Sequence, residues 1–284
     1  MILIADSGAT KTDWACVSRE GGTQIRFQSQ GYNPNYITGP EIAKDILIHL
    51  PDGFPRRDIT EIYFYGAGVT ELLRESMTKT LLEVFPTAKK VFVVMDTLGS
   101  CRALLLNKPG FAAIIGTGMN TCFYDGENEG LNIESGGFIL GDEGSGANLG
   151  KRLILDYLRH SMPDNVYEET KKAIGMTNDE IIAAIYQKPF PNRFCAQFAK
   201  FIQDHYDFDP YFTNLTTEAF RDLFRNVVSK YPDYQKYTFN AVGSVAFHHR
   251  KLLEPVVEEF GMKVGRILKA PMDGLVEYHT EVAV

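Results

Sequence analysis

The sequence predicts an α/β protein made of two units built on the same plan. Three observations carry that prediction. The chain opens with three short strands and continues as helix, strand, helix, strand, helix. A second strand, glycine turn and strand begins near Gly110 and echoes the opening. Strand and helix then alternate again toward the end, after a long helical stretch. The expected division is residues 1–108 and 109–284, with a helical insert in the second unit and a last helix free to pack back on the first.

Each element has its reason. Ile2-Leu3-Ile4-Ala5 is an apolar run of buried-strand type that stops at Asp6. Residues 14–18 and 24–30 continue an antiparallel meander, with Gly21-Gly22 at the second turn. Ile42, Ile46 and Leu50 lie at helical spacing in residues 41–50. Residues 61–65 form a strand running into Gly66-Ala67-Gly68, and Thr70 can cap a helix over 71–85. Residues 90–95 are a strand ending at Asp96, and 98–106 are helical.

In the second unit, 111–115 and 121–124 flank Gly116-Thr117-Gly118, and 132–134 are a short third strand. Helices are expected over 147–160, 166–174, 178–186, 193–206 and 216–231, punctuated by Pro163, Pro189, Pro191 and Pro210. A strand over 238–242 meets Gly243-Ser244 and a helix over 245–260. Residues 263–268 form the last strand and 271–278 the last helix.

Composition excludes several classes. An apolar fraction of 44% in 284 residues supports a sizeable core. The net charge of −7, without a basic run, argues against nucleic acid. Cys16, Cys101, Cys122 and Cys195 form no C-x-x-C pair and read as reduced thiols of a cytoplasmic protein, not as disulfides or metal ligands. No signal-peptide pattern and no membrane-length apolar run is seen.

The chemistry concentrates at turns. Ser7, Gly8, Thr10, Lys11 and Thr12 bring amides, hydroxyls and one cation to a single turn, as a polyphosphate requires; a plain hairpin turn is the alternative. The spacing is not that of a P-loop. Asp96 stands at a strand end, where ligands gather in open α/β sheets, and its carboxylate could accept a proton from an alcohol. The alternative is a helix N-cap, which lacks a capping-box partner because Gly99 occupies the third helical position. Asn33 and Asn35 form a polar loop suited either to hydroxyl groups or to a simple turn. His248-His249 reads as an exposed or rim pair on a helix, and the aromatic residues of 206–212 as packing.

Asp6–Thr12, Gly116-Thr117-Gly118, Gly141-Asp142-Glu143-Gly144-Ser145-Gly146 and Val242-Gly243-Ser244 occur in that order. Together they resemble the motifs of the actin-like ATPase superfamily of sugar kinases and heat-shock ATPases. The nearest branch is the N-acetylglucosamine kinase-like group, classed with the benzoyl-CoA reductase activator type ATPases. The resemblance covers essentially the whole chain and implies two ribonuclease-H-like domains with an interdomain cleft. It implies an ATP-dependent kinase of an N-acetylated amino sugar, with magnesium as the metal. In that frame the turn of Ser7, Gly8, Thr10, Lys11 and Thr12 and the turn of Gly116, Thr117 and Gly118 hold the phosphates. Gly243 and Ser244 meet the nucleoside, and Asp96, in an Asp-x-x-Gly-Ser context, is the base. Asn33 or Asn35, Asn120, Ser135, Gly136, Gly137 and Asp142 meet the sugar, and Asp6 lies near magnesium through water.

Two departures stand out. The family's Gly-Gly-Trp-Gly is replaced by Glu134-Ser135-Gly136-Gly137-Phe138, with Gly136 at the tryptophan's place, and Met119 replaces a serine. The alternatives are an activator ATPase of a redox partner, disfavoured because residues 111–115 hold no cysteine, and a non-catalytic nucleotide or sugar-binding regulator. The partner expected is a small sugar, without nucleic acid or membrane, and a homodimer is compatible with the sequence.

Overall fold

The computed structural model describes residues 1–8, 11–19, 24–32 and 37–282. By internal contacts the chain divides into two units: Met1–Pro109 with Tyr124–Glu129 and Ala270–Val284, and Gly110–Phe123 with Gly130–Lys269.

In the first unit, β1 (Ile2–Ser7), β2 (Lys11–Val17), β3 (Gln24–Gln30), β4 (Glu61–Gly66) and β5 (Lys90–Met95) form a sheet ordered β3-β2-β1-β4-β5. β1 pairs antiparallel with β2 and parallel with β4. It is central and covered on both faces, which is why Ile2, Leu3, Ile4 and Ala5 can all be apolar. Helix α1 (Gly39–His49) starts at a Thr38–Glu41 capping box, and α2 (Glu71–Val84) and α3 (Asp96–Leu105) follow β4 and β5. Trp14 stacks on Phe27 at 5.5 Å and donates from Nε1 to Ser29 at 2.9 Å. The segment from α13 (Met272–Glu277) to the π-turn Tyr278–Val282 packs on α3. Gly274 is required there, because a Cβ would lie 2.2 Å from the Ala103 carbonyl oxygen.

In the second unit, β6 (Gly110–Ile115), β7 (Met119–Tyr124), β8 (Glu129–Asn132), β9 (Thr238–Val242) and β10 (Lys263–Leu268) are ordered β10-β9-β6-β7-β8. Counted from its own first strand, that is the order of the first sheet. Helices α4 (Gly137–Leu140), α5 (Gly146–Leu158), α6 (Asp164–Ile174), α7 (Asn178–Tyr186), α8 (Pro191–Ala196), α9 (Phe198–Asp204) and α10 (Pro210–Asn226) come between β8 and β9. Helices α11 (Ser244–His248) and α12 (Arg250–Glu259) join β9 to β10. Phe111, Phe220, Phe224, Tyr231 and Phe239 centre the core.

Several expectations need correction. The third strand of the second unit is Glu129–Asn132, not 132–134. The helix expected over 216–231 begins at Pro210, a residue that suits the first helical position, and is capped by Asp209 accepting from the Tyr211 amide at 2.9 Å. The helix over 193–206 is interrupted at Gln197, and that over 245–260 at His249, whose ring turns inward. All four cysteines are buried, and none forms a disulfide among the described residues. Among the described residues no helix is long and apolar enough to cross a membrane.

Candidate functional site

The first turn is held by its hydroxyls. Ser7 and Thr12 are buried and hydrogen-bonded to each other at 2.8 Å. Thr12 also donates to the Gln30 carbonyl at 2.8 Å, and the Tyr32 amide donates to Ser7 Oγ at 3.2 Å. The Gly8 amide donates to the Lys11 carbonyl at 3.0 Å. The hydroxyls of Ser7 and Thr12 are thus engaged in shaping the turn. Lys11 is the exposed cation here, paired with Asp13 at 2.8 Å. Thr10, Asn33 and Asn35 lie outside the described residues.

Carboxylates crowd the same end of the sheet. Asp6 on β1 stands opposite Asp13 on β2. Burial pushes the Asp6 carboxyl up to about 7, and Asp96 and Asp13 push the same way against Lys11. Asp96 is the first residue of α3, with Met95 as the N-cap, so the N-cap alternative for Asp96 is also corrected. Burial raises Asp96 to about 6, opposed by the Thr97 amide and assisted by Glu129. Glu129 accepts from the Thr97 hydroxyl at 2.5 Å and is itself raised by burial. Both aspartates keep part of their surface open while most of their surroundings are protein. A carboxyl that titrates near neutrality can both hold and release a proton at working pH.

The second turn is built from backbone. The Gly116 amide donates to the Gly118 carbonyl at 2.9 Å. The first amides of α5 clasp the turn, Gly146 donating to Gly116 O at 2.8 Å and Ala147 to Thr117 O at 3.0 Å. Ser145 caps that helix by accepting from the Asn148 amide at 3.1 Å. Gly243 adopts φ +133°, and a Cβ there would meet Ile115 O at 2.3 Å, so only glycine lets β9 leave the sheet beside this turn. Gly116, by contrast, has no atom within 4 Å of where a Cβ would be. That space opens on a cavity of about 550 Å³ whose lining includes Gly116, Thr117, Lys200, Gln203, Ser244 and His249.

Asp142 sits against the same turn from another side. It is buried, with φ +58°. Its Oδ1 accepts from the Met119 amide at 3.1 Å, and its own amide donates to Ser135 O at 2.9 Å. Its Oδ2 would lie 3.0 Å from a Cβ at Gly118. Burial raises its pKa, while the Met119 amide works to lower it. Gly136 and Gly137 both have positive φ, and Ser135 Oγ accepts from the Gly137 amide at 3.3 Å. Asn120 spends its Oδ1 on the Thr121 amide at 2.8 Å and on Asn132 at 2.9 Å.

The structure thus forms three groupings: Asp6 with Asp96; Gly116, Thr117 and Ser244 around the cavity beside Gly243; and Gly118, Ser135 and Asp142. Neither Glu129 beside Asp96 nor Lys200 and Gln203 on the cavity carries any signal in the sequence. His249 was singled out but expected at a rim; it is buried.

No protein-family model and no curated protein matches this chain. Among solved structures, a Porphyromonas gingivalis protein assigned as an N-acetylglucosamine kinase matches with 38% identity and a TM-score of 0.93, covering 100% of both chains. A Chromobacterium violaceum protein with the same assignment matches at 15% identity and a TM-score of 0.74, over 98% of each chain. A ROK family glucokinase from Streptomyces griseus, solved with glucose and AMPPNP, matches at 14% identity and a TM-score of 0.54, over 98% of this chain and 97% of its own. The last two speak for the fold alone.

Proposed function

This chain belongs to the N-acetylglucosamine kinase-like family of the actin-like ATPase superfamily, and from that membership we propose its reaction: transfer of the γ-phosphoryl group of ATP to a hydroxyl of an N-acetylated amino sugar such as N-acetylglucosamine. The single observation that carries the reading, beside the family, is Asp96, a carboxyl at a helix start whose pKa is raised to about 6. A sugar hydroxyl is a poor nucleophile. A carboxylate within hydrogen-bond reach orients it and takes its proton as the bond to phosphorus forms.

The nucleotide fits the second unit. The cavity is of ligand size, and the bare Gly116 leaves room for phosphate oxygens where a side chain would intrude. Gly116, Thr117 and Gly118 face the phosphates in this reading, and Gly243 and Ser244 the nucleoside. In the first turn, Lys11 and the backbone serve the phosphates, with Ser7 and Thr12 fixing its shape. Asn120, Ser135, Gly136, Gly137 and Asp142 hold sugar hydroxyls, joined by Asn33 or Asn35.

Magnesium also fits. Asp6, Asp13 and Asp96 interact repulsively with Lys11 as their counter-charge, and a cation nearby relieves that repulsion. Among the described residues no three His, Cys, Asp or Glu side chains group as a metal cage. The ion would be held by phosphates and water with Asp6 beside it, and would neutralise charge on the transferring group. We place the enzyme in the cytoplasm, acting on a small soluble sugar.

A coupled assay over a panel of amino sugars with Mg·ATP tests the reading. Turnover of at least one N-acetylated amino sugar is expected. No turnover across the panel, with no ATP binding by calorimetry, overturns it.

A further inference from the structure

The cavity of the second unit contains a histidine whose chemistry the proposed reaction leaves unused. His249 lines it and is only 2% exposed. Its Nδ1 is hydrogen-bonded to the Tyr206 hydroxyl. Tyr206 in turn contacts Thr216 Oγ1 at 3.2 Å, and Thr216 Oγ1 contacts the Phe212 carbonyl at 2.9 Å. Its Nε2 has no hydrogen-bond partner among the described residues.

The direction of this chain fixes the tautomer. A carbonyl can only accept, so the contact to Phe212 holds a hydrogen only if Thr216 donates it. Thr216 then has lone pairs alone to offer, and Tyr206 must donate to it. The Tyr206 oxygen is left to accept, so the remaining contact is filled by a hydrogen on Nδ1 of His249. The reverse assignment, with Tyr206 donating to Nδ1, leaves one of the three contacts without a hydrogen. Thr216 is fully buried, so such a loss is costly. Burial, assisted by His248, pushes the His249 pKa down to about 4, so the ring is neutral at working pH. With the single ring hydrogen on Nδ1, Nε2 is a bare acceptor on a ring that lines the cavity.

We propose that His249 reads the nucleobase: its Nε2 accepts a hydrogen bond from the exocyclic 6-amino group of adenine and thereby selects adenine over guanine nucleotides. The inference rests on the kinase reading in taking the cavity as the nucleotide site. Guanine presents an O6 acceptor at the same position, and two acceptors facing each other in a buried site repel. Tyr206 and Thr216 are positioning residues in this scheme, because they set the tautomer without touching the base.

Three measurements on the intact protein test it. First, calorimetry compares ATP with purine riboside triphosphate, which lacks the 6-amino group, and with ITP, which carries a 6-oxo group. Roughly tenfold weaker binding is expected for the first analogue and a larger loss for ITP. Second, Tyr206→Phe removes the acceptor for Nδ1–H and frees the ring to move its hydrogen to Nε2. The ATP-to-ITP preference is expected to shrink about tenfold in this variant, a change that simple loosening of the pocket would not direct toward ITP. Third, side-chain ¹⁵N spectra of the wild-type protein are expected to show His249 protonated on Nδ1, independently of how any variant folds.

An Nε2–H tautomer, or equal affinity for ATP and purine riboside triphosphate, overturns the proposal. Sugar phosphorylation without base discrimination sinks the proposal and leaves the kinase reading standing. Base-selective ATP binding without phosphorylation does the opposite.

Discussion

Asp6 and Ser7 close the central strand of the first sheet, whereas Ile114 and Ile115 close the central strand of the second. At the outer parallel strand, β5 hands directly to Asp96, but β10 ends at Leu268 and is followed by Lys269 and Ala270. The strand orders match, so the scaffold is duplicated while its chemistry is not. The first unit keeps mutually repelling carboxyls at its strand ends. The second keeps glycines, a helix start and a cavity, and its one acid at the turn, Asp142, is tied to the Met119 amide. Repeating a fold is thus compatible with dividing labour: in the proposed reaction the crowded carboxyls of the first unit serve proton transfer, and the bare backbone of the second serves the nucleotide.

The largest expected effect tests the first half of that contrast. Asp96→Asn should lower kcat by roughly 10²–10⁴-fold in a coupled assay while leaving ATP affinity unchanged by calorimetry. Near-normal turnover in that variant would break the assignment of proton transfer to the first unit.

Next come two glycines of the second unit. Gly243→Ala forces a methyl group toward Ile115 O and retains a positive φ, so urea unfolding should show a loss of about 1–3 kcal/mol. Gly116→Ala meets open space. Its stability should stay within about 0.5 kcal/mol of wild type, while the KM for ATP rises. Equal unfolding curves for the two variants would show that the turn is not divided into a packed glycine and a binding one.

The pH dependence is a smaller test. Asp96 must be ionised to accept a proton, so kcat/KM should fall on the acid side with an apparent pKa between about 6 and 7, shared by the Asp6–Asp96 pair. Stability runs the other way. Both carboxyls bind protons more tightly folded than unfolded, so their contribution is complete below pH 3.8 and is lost as pH rises through about 6 to 7. The smallest effect is expected for Glu129→Gln, which removes the charge that raises Asp96 and should shift the acid limb of kcat/KM slightly downward.

The sequence showed what local pattern determines. Apolar runs and glycine turns placed the strands of both sheets, because a central strand buried on both faces must be apolar along its length. Asp96 was legible because a strand end is a local feature. What escaped depends on distant partners. Glu129 meets Thr97 across 32 positions, and Tyr206 meets His249 across 43, so neither contact leaves a periodic trace. The inward turn of His249 also breaks a helix that its neighbours would have continued. Likewise, the hydroxyls of Ser7 and Thr12 look exposed in a polar turn, and only the pairing of β1 with β2 shows that they face each other.

The packing of Gly274 against Ala103 has a consequence for synthesis. The first unit is finished by residues near position 280, yet most of it leaves the ribosome before any of the second. The nascent chain must therefore keep the surface of α3 uncovered until nearly all of the second unit has emerged. Chaperone dependence during translation should accordingly fall on the amino-terminal part, although it is made first.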